Sequence, residues 1–190
     1  MRITHIISIA ALALSTACSE TPNPKPRGYF RITFPEKEYS SLDTLDMPYS
    51  FAMPKYCTVE RETSRGAEKY WTNLVFPTLN AKIHMSFKYL DGNLDTLIDD
   101  SHTLAYKHTV KAEAIEKIIY ENDTTHVYGM LYNIKGNVAS PVQFYITDST
   151  RHFLRGSLYF SCTPNKDSLA PAIDFVRKDI VKIFESLVWK

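Results

Sequence analysis

"VQFYITDSTRHFLRGSLYF", residues 142–160, can be read in two ways, and the choice between them decides the fold. Asp148, Ser149 and His152 bring the three residue types of a hydrolytic triad within five positions. The same residues separate two β-rich runs, and "DSTR" is turn chemistry, because aspartate and serine bond their own backbone. A working triad also needs a base oriented by a carboxylate and oxyanion donors beside an exposed nucleophile, usually gathered from separate elements. No G-x-S-x-G elbow and no glycine-rich donor loop lies nearby. The stretch therefore reads as a β-hairpin in a register that pairs Thr147 with His152, so that Phe144 faces Arg155 and Tyr145 faces Leu154.

Working outward from that hairpin, the run 82–89 alternates Ile83, Met85, Phe87 and Tyr89 against Lys82, His84, Ser86 and Lys88, the period of a half-buried strand. Residues 69–76 make its hairpin partner through "PTLNA", and 48–60 reads as a first strand interrupted by Pro54. The segments 114–121, 126–134, 138–147 and 152–160 follow, the first three separated by the turn signals "ND" and "KGN". Two stretches change period. Asn93 is placed to cap a helix over 94–108, with Leu94, Leu97, Ile98, Ser101 and Ala105 on one stripe. A second helix is predicted over 168–188, with Pro171 in its first turn and Ile173, Val176, Ile180, Ile183, Phe184 and Leu187 as its apolar stripe. Together these elements predict an α+β single-domain sandwich, a mainly antiparallel sheet of about six strands flanked by helices, in an order that resembles the PsbP-like fold.

The N-terminus speaks to location. Arg2, the apolar run Ile3–Leu14 and the small residues of "STAC" read as a signal peptide over 1–17, too short to span a bilayer. A cysteine directly after small residues predicts lipidation at Cys18, with Ser15 standing where such boxes usually carry leucine. The alternative is ordinary secretion, with Cys18 lost or left as a thiol. Residues 18–27, with Pro22, Pro24 and Pro26, form an extended tether of about 28 Å. The α+β domain is expected over 28–190.

Several chemistries find no support. A net charge of +1 and the absence of a lysine or arginine run give no field for nucleic acid, and the six glycines are not clustered into a phosphate loop. The histidines show no H-x-H or H-E-x-x-H spacing. Asp99, Asp100 and His102 in "IDDSH" supply too few ligands on one helix face for a metal site, so a solvated face is the better reading. Trp71 and Trp189 read as packing residues. Cys57 and Cys162 are either bridged, in a compartment that permits disulfides, or separately buried. No catalytic residue, metal or cofactor is expected.

The segment "KPRGYFRITFPEKEY", 25–39, is too aromatic for a plain linker. It either docks on its own domain or offers Arg27, Tyr29, Phe30 and Arg31 to a partner protein, since arginine and aromatic residues favour binding hot spots. With "WTNLVFPTLNAKIHMSFK", "AYKHTVKAEAI", "GNVASPVQFYITDSTRHFLRGSLYF" and "PNKDSL", this block resembles the GldD-type gliding-motility lipoproteins of the Bacteroidetes. The resemblance implies a lipoprotein needed for surface gliding, working through contacts with gliding or type IX secretion machinery. It would be held by its lipid anchor in the outer membrane, on the periplasmic face, although the inner membrane stays open. From another class, the alternative function is a periplasmic domain binding a small ligand, lipid or glycan in a groove between helix and sheet.

Overall fold

A computed structural model describes residues 32–42, 46–107 and 112–190. Strands β4 (Thr58–Arg61), β5 (Thr72–Phe76), β6 (Ala81–Tyr89), β7 (Ala112–Asn122), β8 (Val127–Gly136), β9 (Val142–Thr147) and β10 (His152–Phe160) form one antiparallel sheet in the order β4-β5-β6-β10-β9-β8-β7. The hairpin of the 142–160 stretch thus supplies two of its central strands. Helix α1 (Leu94–Tyr106) carries the chain from central β6 to the edge strand β7 across one face, and α2 (Lys166–Ser186) covers the other. Short strands β1 (Tyr39–Ser41) and β3 (Ala52–Pro54) pair with each other, as do β2 (Tyr49–Ser50) and β11 (Val188–Trp189).

The two faces differ because strand side chains alternate. On the first, Leu74, Ile83, Phe87, Leu131, Phe144, Ile146, Leu154 and Leu158 are buried against Val176, Ile180, Ile183 and Phe184 of α2. Gly156 lies under the Phe144 ring, where an added Cβ would stand 2.1 Å from a ring carbon. On the second face, Tyr132, Ile134, Tyr145 and Phe153 form a smaller cluster with Ala105 and the predicted α1 stripe residues Leu94, Leu97 and Ile98. That helix covers β8, β9 and the start of β10. Over β4, β5, β6 and the later part of β10, the second face carries Glu60, Lys82, His84, Arg155 and Tyr159, none of them fully buried.

The expected α+β architecture with a mainly antiparallel sheet is observed, with seven strands for about six. Five finer expectations need correction. Residues 48–60 are three short strands, because the chain turns at Pro54 and leaves β3 paired with β1 instead of β5. The 138–147 strand begins at Val142, since Pro141 has no N–H to donate and contributes only its carbonyl, to Ile134. Helix α2 starts at Lys166, where Asn165 accepts from the Ser168 N–H, so Pro171 falls beyond the first turn; Leu187 is extended, and Val188–Trp189 pair with β2. Ahead of α1, the Asn93 carbonyl side chain accepts from the Asp91 N–H and makes no capping bond.

The last correction is the hairpin register. Thr147 pairs with Phe153, Tyr145 with Arg155 and Phe144 with Gly156. The Asp148 carboxylate accepts from the N–H groups of Thr150, Arg151 and His152, which folds a loop one residue longer than the tighter register allows. Shifting by one residue changes which side chains share a face. Arg155 consequently lies on the second face, away from Phe144. Cys57 and Cys162 are both free, as their places before β4 and after β10 require, because β5 and β6 intervene at about 4.8 Å per strand.

Candidate functional site

The aspartate and histidine of the opening stretch do meet. The His152 Nδ1 lies 2.7 Å from Asp148 Oδ2, while Asp148 Oδ1 serves the three loop N–H groups. Burial alone would raise the Asp148 carboxyl, but the backbone bonds and the imidazole outweigh it and hold the group below its ordinary range. The His152 ring stacks on Trp189 at 5.1 Å, and the Trp189 indole donates to the His126 carbonyl. Ser149 sits in the left-handed region at φ 64° and donates its N–H to Thr147 Oγ1; its hydroxyl bonds to neither partner of the pair. A carboxylate–imidazole pair is therefore present, but it ties the hairpin loop to the C-terminal strand and no nucleophile is aligned with it.

A second cluster fastens the N-terminal segment. Asp179, on α2, is 1% exposed and stands at a stripe position between Val176 and Ile183. It accepts from Lys37 Nζ at 2.6 Å, from the Tyr39 hydroxyl at 2.9 Å and from the Tyr56 hydroxyl at 2.7 Å. Lys37 also donates to the Phe175 carbonyl and lies 3.5 Å from the centre of that ring, on which Phe34 stacks at 4.5 Å. Burial and then the Asp179 charge push both tyrosine hydroxyls upward, so they remain donors, and burial lowers Lys37 in spite of its carboxylate partner. Of the 25–39 segment, then, Phe34, Lys37 and Tyr39 dock on their own domain.

The third cluster occupies the uncovered half of the second face. The Asn73 amide donates to Glu62 Oε2 at 2.8 Å, which leaves its oxygen 2.7 Å from His84 Nδ1; the imidazole must carry its proton there, since the oxygen can only accept. Burial and Lys82 lower His84, keeping it neutral near pH 7. Asn73 and Ser64 in turn draw Glu62 down to about 2. Beside this chain, Arg155 donates from Nη2 to Gln143 Oε1 at 2.7 Å. A depression of about 320 Å³ is lined by His84, Arg155, Ser157 and Tyr159, and a neighbouring one of about 210 Å³ includes Trp71. Trp71 was expected to be packing. Its indole N–H is buried without a partner among the described residues.

Between α2 and strands β7 and β8 runs a groove of about 590 Å³ whose walls mix Ile118 and Ile173 with Glu116, Arg177 and the Lys166–Glu113 ion pair. Deep apolar enclosure, the usual mark of a small-ligand pocket, is not its character. Among the described residues no three His, Cys, Asp or Glu side chains converge on a common point. His102 stacks on Tyr106 at 4.2 Å and approaches Lys117, while Asp99 and Asp100 are exposed. No helix among the described residues is long and apolar enough to cross a membrane. Cys18, Arg27, Tyr29, Phe30 and Arg31 lie outside the described residues. What the sequence reading missed is Asp179, whose one signal was an acid in an apolar stripe, and the grouping of Arg155 with Ser157 and Trp71.

Comparison with known proteins adds the following. The chain is similar in structure to the cyanobacterial PsbP (CyanoP) of Synechocystis, with a TM-score of 0.51 and 11% identity over 88% of this chain and 100% of that one, a likeness that speaks for the fold alone. No curated protein matches the chain. A family model described as gliding motility lipoprotein GldD matches residues 19–189.

Proposed function

The chain belongs to the family of GldD gliding motility lipoproteins, and from that premise we propose that it works without catalysis, as a lipid-anchored adaptor that contacts other proteins of the gliding machinery and of the linked type IX secretion system. The family match over nearly the whole chain is the observation that carries this reading. In it, residues 1–17 are a signal peptide, Cys18 bears the acyl chains, residues 18–27 are the tether, and the anchor holds the domain at the periplasmic face of the outer membrane. Arg27, Tyr29, Phe30 and Arg31 are the partner-binding residues, placed just before the point where Phe34 and Lys37 are fastened to α2. Anchoring the following residues fits that role, because a short hot spot loses less entropy on binding when its base is already fixed.

The test is complementation of a deletion strain with Tyr29→Ala together with Phe30→Ala, scoring gliding, protein level and thermal midpoint. Loss of gliding with an unchanged midpoint is expected. A large fall in the midpoint would instead mean that both rings pack on their own domain, at roughly 3 kcal/mol or more each, and would reject this partner site.

A further inference from the structure

We propose that the uncovered half of the second sheet face is a binding site for a carboxylate group, received by the Arg155 guanidinium. Arg155 stands in the middle of β10, between Ser86 of β6 and Tyr145 of β9, and its side chain is half-buried. A guanidinium has five N–H donors. Here one bond, to the neutral Gln143 oxygen, is made, and no carboxylate of the described residues lies within ion-pair distance.

The acids of this face are engaged elsewhere. Glu60 pairs with Lys82 at 3.3 Å, Glu68 with Lys88 at 2.6 Å, and Glu62 is held by Asn73 and the Ser64 N–H. Two further polar groups flank Arg155. Ser157, in the same depression, is 3% exposed and its hydroxyl has no partner among the described residues; neither does the indole N–H of Trp71, in the neighbouring depression that Arg155 also lines. Buried polar atoms are nearly always satisfied, so orphans gathered beside an unpaired cation point to a missing acceptor. An anion in the Arg155 depression supplies one.

The chemistry selects among anions. Phosphate sites draw on several cations or on free backbone N–H groups at a helix start. On this sheet face the backbone donors are used by the β-ladders, Lys82 and Lys88 are already paired, and one guanidinium remains. A planar monoanion matches its fork through two parallel bonds. His84 and Tyr159, edge to face at 5.5 Å, wall the depression for the carbon stem of the ligand. No carboxylate lines that depression; the neighbouring one includes Glu62, whose oxygens accept from Asn73 and the Ser64 N–H. Two sources present the same group: an acidic side chain of a partner protein, or a free small dicarboxylic acid.

The experiment uses the full chain in detergent micelles with nitrogen-15 arginine and tryptophan, followed by NMR. The probes are an end-blocked peptide bearing one glutamate, its glutamine counterpart, succinate and inorganic phosphate. The site predicts that the glutamate peptide or succinate shifts the Arg155 Nε–H and Trp71 indole signals, that the glutamine peptide does not, and that Arg155→Gln weakens binding at least tenfold. Peptide binding identifies a protein source, and succinate alone a small acid; either supports the site. Should Arg155→Gln fail to fold, Arg155→Lys keeps the charge without the fork and must still weaken binding. Equal shifts with phosphate, equal shifts with the glutamine peptide, or no shift with any probe overturn the proposal.

Discussion

Asp179 and Arg155 are both charges drawn partly out of water, on opposite faces of one sheet, and they are treated in opposite ways. Asp179 is enclosed and has every acceptor used: an ammonium and two phenols reach it from residues more than a hundred positions earlier. Arg155 is half-enclosed, makes one bond and has no counter-ion among the described residues. A buried charge that is saturated with partners acts to specify a structure, here the seating of the N-terminal segment on α2. One that is left open costs solvation for no gain in the isolated fold, and so invites a ligand. The contrast separates what holds this protein together from what it presents.

Breaking the closed side should give the largest effect. Asp179→Asn removes the charge that faces Lys37 and leaves an ammonium and two hydroxyls around an amide. Loss of one partner from a buried pair costs about 3–5 kcal/mol, and because the Lys37 side chain retains 28% exposure the lower end, about 3 kcal/mol, is expected. Urea denaturation reads this directly. Proteolysis near residues 32–39 should also quicken, since Phe34 and Tyr39 lose their anchor. A change under about 1 kcal/mol would mean that the cluster is no clasp and that the comparison fails on its first side.

The reason the helix and strand faces were visible in the sequence and the surroundings of these two charges were not is physical. Helix stripes and strand alternation are local, so Leu94, Leu97 and Ile98, or Val176, Ile180 and Ile183, declared their faces. Sheet composition and the α+β order followed. The partners of Asp179 come from the 25–39 segment and, for Tyr56, from the 48–60 stretch, at separations of 123 to 142 residues, and no periodicity encodes such contacts. For Arg155, alternation with Phe153 and Ser157 placed it on a face, but which face depended on a register fixed by the Asp148 carboxylate in the loop. How far α1 reaches across that face is likewise a packing outcome. The open half was therefore illegible, whereas the family likeness, carried by long blocks of sequence, was readable at once.

Asp148 lies between the two extremes, and pH sharpens its position. Its carboxyl is half-buried yet held below its ordinary value by loop N–H groups and His152. A depressed carboxyl contributes stability that is fully present above its unfolded value, near 3.8, and is lost as pH falls through the lower folded value. Asp148→Asn should therefore cost about 1–2 kcal/mol at pH 6, the range for a hydrogen-bonded charge. The gap to the wild type should narrow as pH is taken from about 4 downward. Denaturation series at pH 6, 4 and 3 check this, and a gap that widens on acidification would contradict the sign. Such a result would move Asp148 to the open class, beside Arg155.

The smallest effect is expected where the charge is open, and it is the most telling. A buried strand charge that needed pairing would make Arg155 as costly to alter as Asp179. The observed geometry argues otherwise: Arg155→Gln gives up one bond to a neutral oxygen, worth about 1 kcal/mol, and is relieved of the desolvation that already depresses the guanidinium. The two terms oppose each other, so folding stability should stay within about 0.5 kcal/mol of the wild type, with a slight gain as plausible in sign as a slight loss. Measured beside Asp179→Asn in the same urea series, this variant decides the comparison. A loss near 3 kcal/mol would show that Arg155 is held by the fold as firmly as Asp179, and the uncovered face would then be structure and not a place for a ligand. Near-neutral folding leaves Arg155 kept for something outside the chain, because a half-buried cation that adds nothing to stability has no role in the fold to explain it.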